Sequence, residues 1–295
     1  MIKVAYINYW KDPFNDRWFT NFISNNIDEV VEVGANENPD ILISSIFGPL
    51  KNVIKLKAKV KIFFTGENPN SNVECRKEYR PENYNTLRKI FDIIIGFELT
   101  SIDKKFLRFP LWLMYYPFYN FTSNYNIIEY IENRHKQNNT NHQLFCSLVS
   151  SHDANGLRTH LHEKMKKYGN IYCGGKLFKN IDIPIDQRGK IELLKKCKYN
   201  ICPENSAYPN YTTEKIFHAL ESGCIPIYWG HSKPEQGVLN ENKYLFYNSK
   251  KELTLEYLKT FDQYINESVF LPDAKNVINK YYTDLVEVLT EKLIS

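Results

Sequence analysis

The sequence predicts an α/β protein of two halves, each built on a parallel sheet, followed by a C-terminal helical segment. Short continuous apolar runs rich in Val, Ile and Phe alternate with stretches of helical periodicity, which is typical of strands covered on both faces. This alternation occurs twice, on either side of a polar stretch from Asn120 to His142. The 295 residues also suffice for two domains of about 100–150 residues each.

In the first half, four apolar runs bounded by turn residues are predicted strands: Val4–Asn8, Asp40–Ser44, Val60–Phe64 and Phe91–Phe97. Asp16–Asn25 is a predicted helix, because its aromatic residues follow helical spacing. The polar stretch that comes next is rich in Asn, Lys and Gln, and we interpret it as the connection between two domains.

The second half repeats this rhythm. Its predicted strands are Leu144–Val149, Tyr199–Cys202 and Ile225–Trp229, and its predicted helices are Gly156–Tyr168, Arg188–Lys196 and Thr213–Ser222. From Leu253 onward the pattern is helical, with an apolar face formed by Leu285, Val288, Leu289 and Leu293. Ligands of open α/β sheets bind beyond the carboxyl ends of the strands, so two sheets facing a cleft would bind two substrates.

The composition excludes several classes of protein. A content of 43% hydrophobic and 24% charged residues indicates a folded chain, and a net charge of +4 is too small to predict a nucleic-acid partner. We expect neither a signal peptide nor a membrane span, because no long apolar run occurs. None of the six cysteines forms a C-x-x-C pair, which favours reduced core thiols and a cytoplasmic protein. The sequence does not indicate an oligomeric state.

The sequence predicts no metal site. It contains no D-x-D motif. His160 and His162 are two residues apart on a predicted helix, so they do not share a face, and the other five histidines show no ligand spacing.

The segment from Cys202 to Gly230 predicts an anion site. It is expected to form a strand, a turn-rich loop, a helix and a second strand, with Thr212 or Thr213 capping the helix. Lys215 then lies in the first turn, where free N–H groups and the positive end of the helix dipole favour a phosphate. The alternative is that Lys215 is a solvated surface residue. A lysine there opposes the dipole, so an anionic ligand explains its placement better.

This segment resembles the nucleotide-binding signature of the α-1,3/4-fucosyltransferases, glycosyltransferase family ten. The matching pieces are Cys-Pro-Glu-Asn at 202–205, Tyr-Thr-Thr-Glu-Lys-Ile at 211–216 and Ile-Pro-Ile-Tyr-Trp-Gly at 225–230. Upstream pieces match the bacterial members in the same order: Asn-Pro-Asp-Ile-Leu-Ile-Ser at 38–44, Thr-Gly-Glu-Asn at 65–68, Ile-Ile-Gly-Phe at 94–97, Leu-Arg-Phe-Pro-Leu at 107–111 and Phe-Cys-Ser-Leu-Val at 145–149. The resemblance covers about residues 1–250.

The resemblance implies a GT-B fold, in which two Rossmann-like domains face a cleft. Carried onto this chain, it places an acceptor-binding domain with the general base at 1–140 and a GDP-sugar-binding domain at 141–265. We expect the remaining segment, 266–295, to form a C-terminal helix that packs back on the N-terminal domain.

The resemblance also implies roles for single residues on the donor side. Arg158 and Lys215 match the residues that hold the diphosphate, and Glu214 matches the carboxylate that binds the ribose hydroxyls. Asn205 and Tyr211 match residues near the fucose and the diphosphate. The chemistry agrees, since two fixed cations can stabilise the departing GDP in place of a metal. GDP-fucose is then the donor substrate, and no cofactor is required.

On the acceptor side, Glu67 matches the general base. An attacking hydroxyl must lose a proton, which calls for a carboxylate at the end of a strand such as the one before Glu67. Without this context Glu67 would be read as a solvated loop residue, and Glu98 and Glu204 are the next candidates. We assign Trp10 and Asn68 to acceptor binding. Four other aromatic residues could stack on sugars or lie in the core: Tyr9, Tyr115, Tyr116 and Trp229.

The sequence therefore predicts an inverting fucosyltransferase that acts on a glycan hydroxyl. The family's usual acceptors imply α-1,3 transfer to N-acetylglucosamine of N-acetyllactosamine-type glycans, in surface glycan or lipopolysaccharide synthesis. Two alternatives stay open: a transferase for another GDP-hexose or GDP-deoxyhexose, and a non-catalytic glycan- or nucleotide-binding protein. The chain lacks the heptad repeats and basic amphipathic tail of the best-known bacterial members, so contact with the inner face of a membrane is left open.

Overall fold

A computed structural model describes residues 1–10, 18–68, 74–97, 105–116, 127–140, 142–153, 155–184, 186–249 and 252–294. The chain divides into two compact units, which are Met1–Asn124 with Asn276–Ser295, and Tyr125–Lys275. Each unit contains one parallel sheet with helices, which confirms the predicted α/β class.

The first unit contains a six-stranded parallel sheet in the order β2-β1-β3-β4-β5-β6. Its strands are β1 (Ile2–Ile7), β2 (Val30–Glu32), β3 (Ile41–Ser44), β4 (Val60–Phe64), β5 (Ile93–Gly96) and β6 (Phe106–Arg108). Its first three helices are α1 (Trp18–Asn26), α2 (Leu50–Ile54) and α3 (Tyr84–Ile90). All four predicted strands are present. The sequence missed the two edge strands, which have only three residues each.

Apolar side chains cover both faces of this sheet. Trp18, Phe19 and Phe22 of α1 are buried, as their helical spacing predicted. A separate cluster that includes Leu42, Phe63, Leu87 and Phe91 packs with residues of α2 and α3. Because both faces are covered, we expect ligands to bind at the strand ends, where the loops carry polar groups.

The second unit contains a five-stranded parallel sheet in the order β11-β10-β9-β7-β8. Its strands are β7 (Leu144–Leu148), β8 (Ile171–Cys173), β9 (Cys197–Ile201), β10 (Ile225–Tyr228) and β11 (Leu245–Phe246). Its helices are α4 (Ile127–Asn138), α5 (Leu157–Met165), α6 (Gln187–Leu194), α7 (Glu214–Glu221) and α8 (Leu255–Lys259). The three central strands and the helices α5, α6 and α7 were predicted, whereas the short edge strands β8 and β11 were not.

The polar stretch from 120 to 142 is more than a connection, because it contains α4. Arg134 Nε of α4 lies 2.8 Å from a carboxylate oxygen of Glu221, and His135 Nδ1 lies 2.7 Å from the carbonyl oxygen of Leu220. These contacts tie α4 to α7. The helix accordingly belongs to the second unit, whereas the predicted boundary after residue 140 placed it in the first. The roles of the two domains stay predictions.

The C-terminal segment is not one continuous helix. After α8 comes a 3₁₀ turn (Thr260–Tyr264), and the last helix, α9 (Ala274–Ile294), begins just after Pro272. The buried residues of α9 from Ile278 onward are three or four apart: Ile278, Tyr282, Leu285 and Leu289. The predicted apolar face thus holds at Leu285 and Leu289. Among the described residues, no helix combines the length and hydropathy that crossing a membrane requires.

Residues 276–295 join the first unit through aromatic and polar contacts. The ring of Tyr282 lies 5.3 Å from that of Phe109 and 6.0 Å from that of Phe22. Next to it, Arg108 Nε donates to the hydroxyl of Tyr281 at 3.2 Å. The core of this unit therefore uses residues from both ends of the sequence.

Candidate active site

A cluster of three cations lies beyond the carboxyl ends of β7 and β9 in the second unit. Arg158 of α5, Lys190 of α6 and Lys215 of α7 line one small cavity of about 30 Å³. Leu148, Asn200 and other residues at the ends of the two strands also line the cavity. This is the edge at which open α/β sheets bind ligands, and its charge suits an anion.

The first turn of α5 holds Arg158. The carboxylate of Asp153 accepts hydrogen bonds from the backbone N–H groups of Arg158 at 3.1 Å and Thr159 at 2.7 Å, which fixes the start of the helix. The guanidinium donates to the carbonyl oxygen of His152 at 2.8 Å and to Oδ1 of Asn205 at 2.9 Å. The structure thus brings Arg158 and Asn205 together, both of which the sequence singled out.

A buried carboxylate, that of Glu204, occupies the beginning of α7. It accepts from the backbone N–H of Thr213 at 2.7 Å and from the hydroxyl of Thr213 at 2.7 Å. The expectation that a threonine side chain caps this helix is wrong, because Thr213 is the N-cap residue but makes no side-chain cap bond. Part of the positive end of α7 is therefore neutralised inside the protein.

Lys215 is held by the same carboxylate. Its Nζ lies 3.1 Å from Oε2 of Glu204 and 2.8 Å from Oγ1 of Thr213, and 3.9 Å from a carboxylate oxygen of Glu214. The side chain of Lys215 is 21% exposed, so the alternative of a solvated surface lysine does not hold.

Charge interactions determine the ionisation states of Glu214 and Lys215. Burial raises the pKa of Glu214, but the ammonium groups of Lys215 and Lys190 outweigh it and lower that pKa to about 2. Burial lowers the pKa of Lys215, but Glu204, Glu214 and Tyr211 raise it well above its ordinary value. Glu214 is thus a carboxylate and Lys215 an ammonium at neutral pH.

Lys190 is a site residue that the sequence did not reveal. Its Nζ lies 3.1 Å from Nδ1 of His218 on α7, and the side-chain amide of Gln187 lies 3.1 Å from the other ring nitrogen. Burial, and then the charge of Lys190, lower the pKa of His218 well below its ordinary value, so the neutral ring accepts from Lys190. A lysine inside a helix carries no local signal of this role, because the role depends on how α6 and α7 pack.

Tyr211 lies in the loop before α7 and is only 1% exposed. Its backbone N–H donates to the carbonyl oxygen of Tyr208 at 3.1 Å. A negative charge on its phenol would raise the pKa of Lys215, so the ring lies near that lysine.

In the first unit, Glu67 lies in a tight turn directly after β4. The hydroxyl of Thr65 accepts from the backbone N–H of Glu67 at 3.1 Å and donates to its carbonyl oxygen at 3.1 Å. A Cβ at Gly66 would come within 2.6 Å of the side chain of Leu111, so a larger residue here would force Leu111 to shift. Asn68 follows and is 8% exposed. Glu67 thus sits at the carboxyl end of a strand, as the sequence predicted.

Glu98 and Glu204 were the reserve candidates for the general base, and the prediction is wrong for Glu204. Its carboxylate is fully buried, and both oxygens accept hydrogen bonds at the start of α7. It therefore cannot reach an external hydroxyl. Glu98 lies outside the described residues.

Aromatic rings cluster around Trp10 at the edge of the sheet that carries Glu67. The ring of Trp10 lies 5.0 Å from that of Phe47 and 5.4 Å from that of Phe64, the last residue of β4. Phe47 is 42% exposed, so the cluster reaches the surface. By contrast Tyr116 is 2% exposed and belongs to the core.

Trp229, a further candidate, packs against the core of the second unit. Within the part of the chain that the structure describes, no group of three or more His, Cys, Asp and Glu residues could hold a metal ion. Five cysteines within it are free and buried: Cys146, Cys173, Cys197, Cys202 and Cys224.

These features define a class: a two-sheet α/β protein with a cationic ligand site on one sheet and a carboxylate-bearing turn on the other. Comparison with known families makes the assignment specific. The model of the alpha-(1,3)-fucosyltransferase FucT N-terminal domain matches residues 4–115, and that of the C-terminal part of glycosyltransferase family 10 (fucosyltransferase) matches residues 114–269. The chain belongs to glycosyltransferase family 10.

Individual relatives agree with this assignment. The chain is 22% identical over 306 residues to the alpha-(1,3)-fucosyltransferase FucT of Helicobacter pylori, an alignment that covers 93% of this chain and 58% of that relative. It is 26% identical over 133 residues to human 4-galactosyl-N-acetylglucosaminide 3-alpha-L-fucosyltransferase 9, which covers 44% of this chain and 35% of the human protein. The chain thus spans somewhat more than half of the bacterial relative and about a third of the human one.

Solved structures show the same fold. A crystal structure of an alpha1,3-fucosyltransferase superposes with a TM-score of 0.67 at 20% sequence identity, covering 97% of this chain and 90% of that one. A crystal structure of alpha1,3-fucosyltransferase with GDP-fucose gives a TM-score of 0.64 at 20% identity. The fold is therefore that of these GT-B-type enzymes, as the sequence predicted.

Proposed function

We propose that this protein transfers fucose from GDP-fucose to a glycan hydroxyl with inversion at the sugar carbon. The observation that carries the proposal is the cavity lined by Arg158, Lys190 and Lys215 at the carboxyl edge of the second sheet. A nucleoside diphosphate matches such a cluster, because its phosphate oxygens accept charge-assisted hydrogen bonds. Family membership and the solved relative with GDP-fucose support this choice of anion.

On the donor side, Arg158 presents a planar fork and Lys215 a point charge to the diphosphate. Lys190 adds a third cation at the same cavity. Glu214 is ionised and would accept from the ribose hydroxyls, while Asn205 and Tyr211 complete the surroundings of the phosphates and the sugar. As the bond to fucose breaks, negative charge grows on the departing GDP, and fixed cations stabilise that charge.

On the acceptor side, Glu67 serves as the general base. The acceptor oxygen forms its bond to the anomeric carbon while the bond from that carbon to the phosphate oxygen breaks. The hydroxyl proton passes to the carboxylate of Glu67, and GDP leaves with the bonding electron pair. Asn68 and the aromatic cluster at Trp10 lie at the same sheet edge, where an exposed ring suits the apolar face of a sugar.

The first test is nucleotide binding. Calorimetry should show that GDP binds and that UDP binds much more weakly, because the donor site is proposed to be specific for GDP. Arg158→Ala should weaken GDP binding, whereas Lys166→Ala, an exposed lysine at the end of α5, should not. Equal affinities for GDP and UDP would remove the assignment of the donor class.

The sugar and the acceptor need a direct assay. We propose α-1,3 transfer to N-acetylglucosamine of N-acetyllactosamine-type acceptors, in surface glycan or lipopolysaccharide synthesis in the cytoplasm. A screen of GDP-fucose and other GDP-hexoses against a panel of oligosaccharides, read by mass spectrometry, should give a product only with GDP-fucose. Product formed preferentially with another GDP-sugar would assign that donor instead, and binding without any product would favour a non-catalytic role.

Metal independence is a separate prediction. Because three cations already face the proposed diphosphate position, transfer should persist when EDTA is present in excess. Added Mg²⁺ or Mn²⁺ should change the rate only modestly. The measurement is turnover before and after chelation, with the metal restored in a parallel sample. Complete loss that the metal reverses would show that a divalent ion neutralises the diphosphate.

A further inference from the structure

Glu204 makes unusual use of its carboxylate, since both oxygens bind the start of α7. Oε1 accepts from the backbone N–H of Thr213, and Oε2 accepts from the hydroxyl of Thr213 and from Nζ of Lys215. The residue itself is anchored in the sheet, because its backbone N–H donates to the carbonyl oxygen of Trp229 at 2.7 Å. Glu204 therefore links the end of β10 to the first turn of the helix that carries Lys215.

This link restricts the conformations that the side chain of Lys215 can adopt. Two of the three N–H groups of its ammonium are used inside the protein, by Glu204 and by Thr213. A lysine side chain on a flexible four-carbon stem loses much rotamer freedom when it binds a ligand. Here that freedom is already restricted, because Glu204 and Thr213 hold the ammonium at the wall of the cation-lined cavity.

We propose that Glu204 is a positioning residue of the donor site, which holds the ammonium of Lys215 in place for the diphosphate. It acts through Lys215 and does not itself contact the substrate. The inference rests on the proposed function, because that function gives Lys215 its role in binding the diphosphate.

A pH dependence distinguishes this role from simple structural support. The titratable or charged groups around Lys215 are Glu204, Tyr211 and Cys202 in the loop after β9, Glu214 and His218 on α7, Lys190 on α6 and Arg158 on α5. Burial lowers the pKa of Lys215, while Glu204 and Glu214 raise it. Without the charge of Glu204, the carboxylate of Glu214 is the main group that still opposes the lowering of the Lys215 pKa by burial. The pKa of Lys215 should therefore fall. The protonated form binds phosphate, hence binding is lost at lower pH than in the native protein.

The experiment compares Glu204→Gln with the native protein by calorimetry with GDP, from about pH 7 to about pH 10, around the usual lysine pKa. At neutral pH kcat/KM should fall about tenfold to a hundredfold, the scale of a misplaced site group. The ratio of the two GDP dissociation constants should then grow as pH rises, and ionisation of GDP itself cancels in that ratio. Glu221→Gln is the control: it removes a buried, ion-paired carboxylate at the other end of α7 and should leave the ratio independent of pH.

A second comparison uses Lys215→Ala as the background. There Glu204→Gln should cause no further loss of kcat/KM, because a residue that acts through Lys215 has nothing left to position. An undiminished loss in that background, or a pH-independent ratio in the single variant, would overturn the proposal. Should Glu204→Gln not fold, Thr213→Val keeps the charge but removes the bridging hydroxyl, and native kcat/KM in that variant would count equally against it.

These outcomes separate the inference from the proposed function. Lys215→Ala with native affinity for GDP would refute the role of Lys215 in the donor site. An impaired Lys215→Ala combined with a native Glu204→Gln would refute only the role of Glu204.

Discussion

Replacing Glu67 with Gln should lower turnover by about 10²–10⁴-fold, the usual contribution of a positioned general base. Gln keeps the size of the side chain, and the turn should survive, because its described bonds run between Thr65 and the backbone of Glu67. The amide cannot accept the proton of the attacking hydroxyl. The acidic limb of the pH–rate profile should therefore disappear or shift.

GDP binding separates loss of chemistry from loss of structure. Glu67→Gln should bind GDP with near-native affinity, since the cation-lined cavity is built from residues of the other unit. Glu82→Gln is a matched control, because Glu82 is an exposed carboxylate of the same unit. If Glu67→Gln retained turnover within a few-fold of native, another carboxylate would have to be the base.

Replacing Lys215 or Arg158 with Ala should each lower turnover by about 10²–10³-fold, the scale for removing one group that stabilises developing charge. Lys215→Ala should be the more damaging change. It removes a cation and also leaves the buried carboxylate of Glu204 without its partner. Steady-state kinetics and calorimetry with GDP measure both effects.

Stability is the necessary control for these variants. Breaking a buried ion pair costs roughly 3–5 kcal/mol, so Lys215→Ala should also lower the unfolding temperature. Adding Glu204→Gln to Lys215→Ala should restore part of that loss, because it removes the unpaired charge. Native turnover in either single variant, Lys215→Ala or Arg158→Ala, would take that residue out of the mechanism.

The sequence predicts the parts of the site that depend on local chain structure. An apolar strand and a Thr-Gly turn place Glu67 at the end of a strand, whereas the role of Arg158 was implied only by the resemblance to the family. The edge strands β2, β6, β8 and β11 could not be found, since two or three residues are too few to show a periodicity.

Contacts between distant segments account for the remaining differences. Lys190 joins the cation cluster only because α6 packs beside α7. The carboxylate of Glu204 accepts hydrogen bonds from Thr213, which lies nine residues further along the chain at the start of α7. From the sequence alone Glu204 was the second reserve candidate for the base, and a carboxylate in a loop is usually solvated. Its burial against Thr213 and Lys215 reverses that interpretation.

The inclusion of residues 276–295 in the first unit has a consequence for biosynthesis. Tyr282 packs on Phe22 and Phe109, so the core around α1 stays incomplete until α9 has left the ribosome. The second unit, Tyr125–Lys275, is a continuous stretch of chain and can collapse earlier. All of the second unit therefore leaves the ribosome before the last helix of the first unit does, so the second unit can complete its fold first, the opposite of the usual order in which the N-terminal domain folds first.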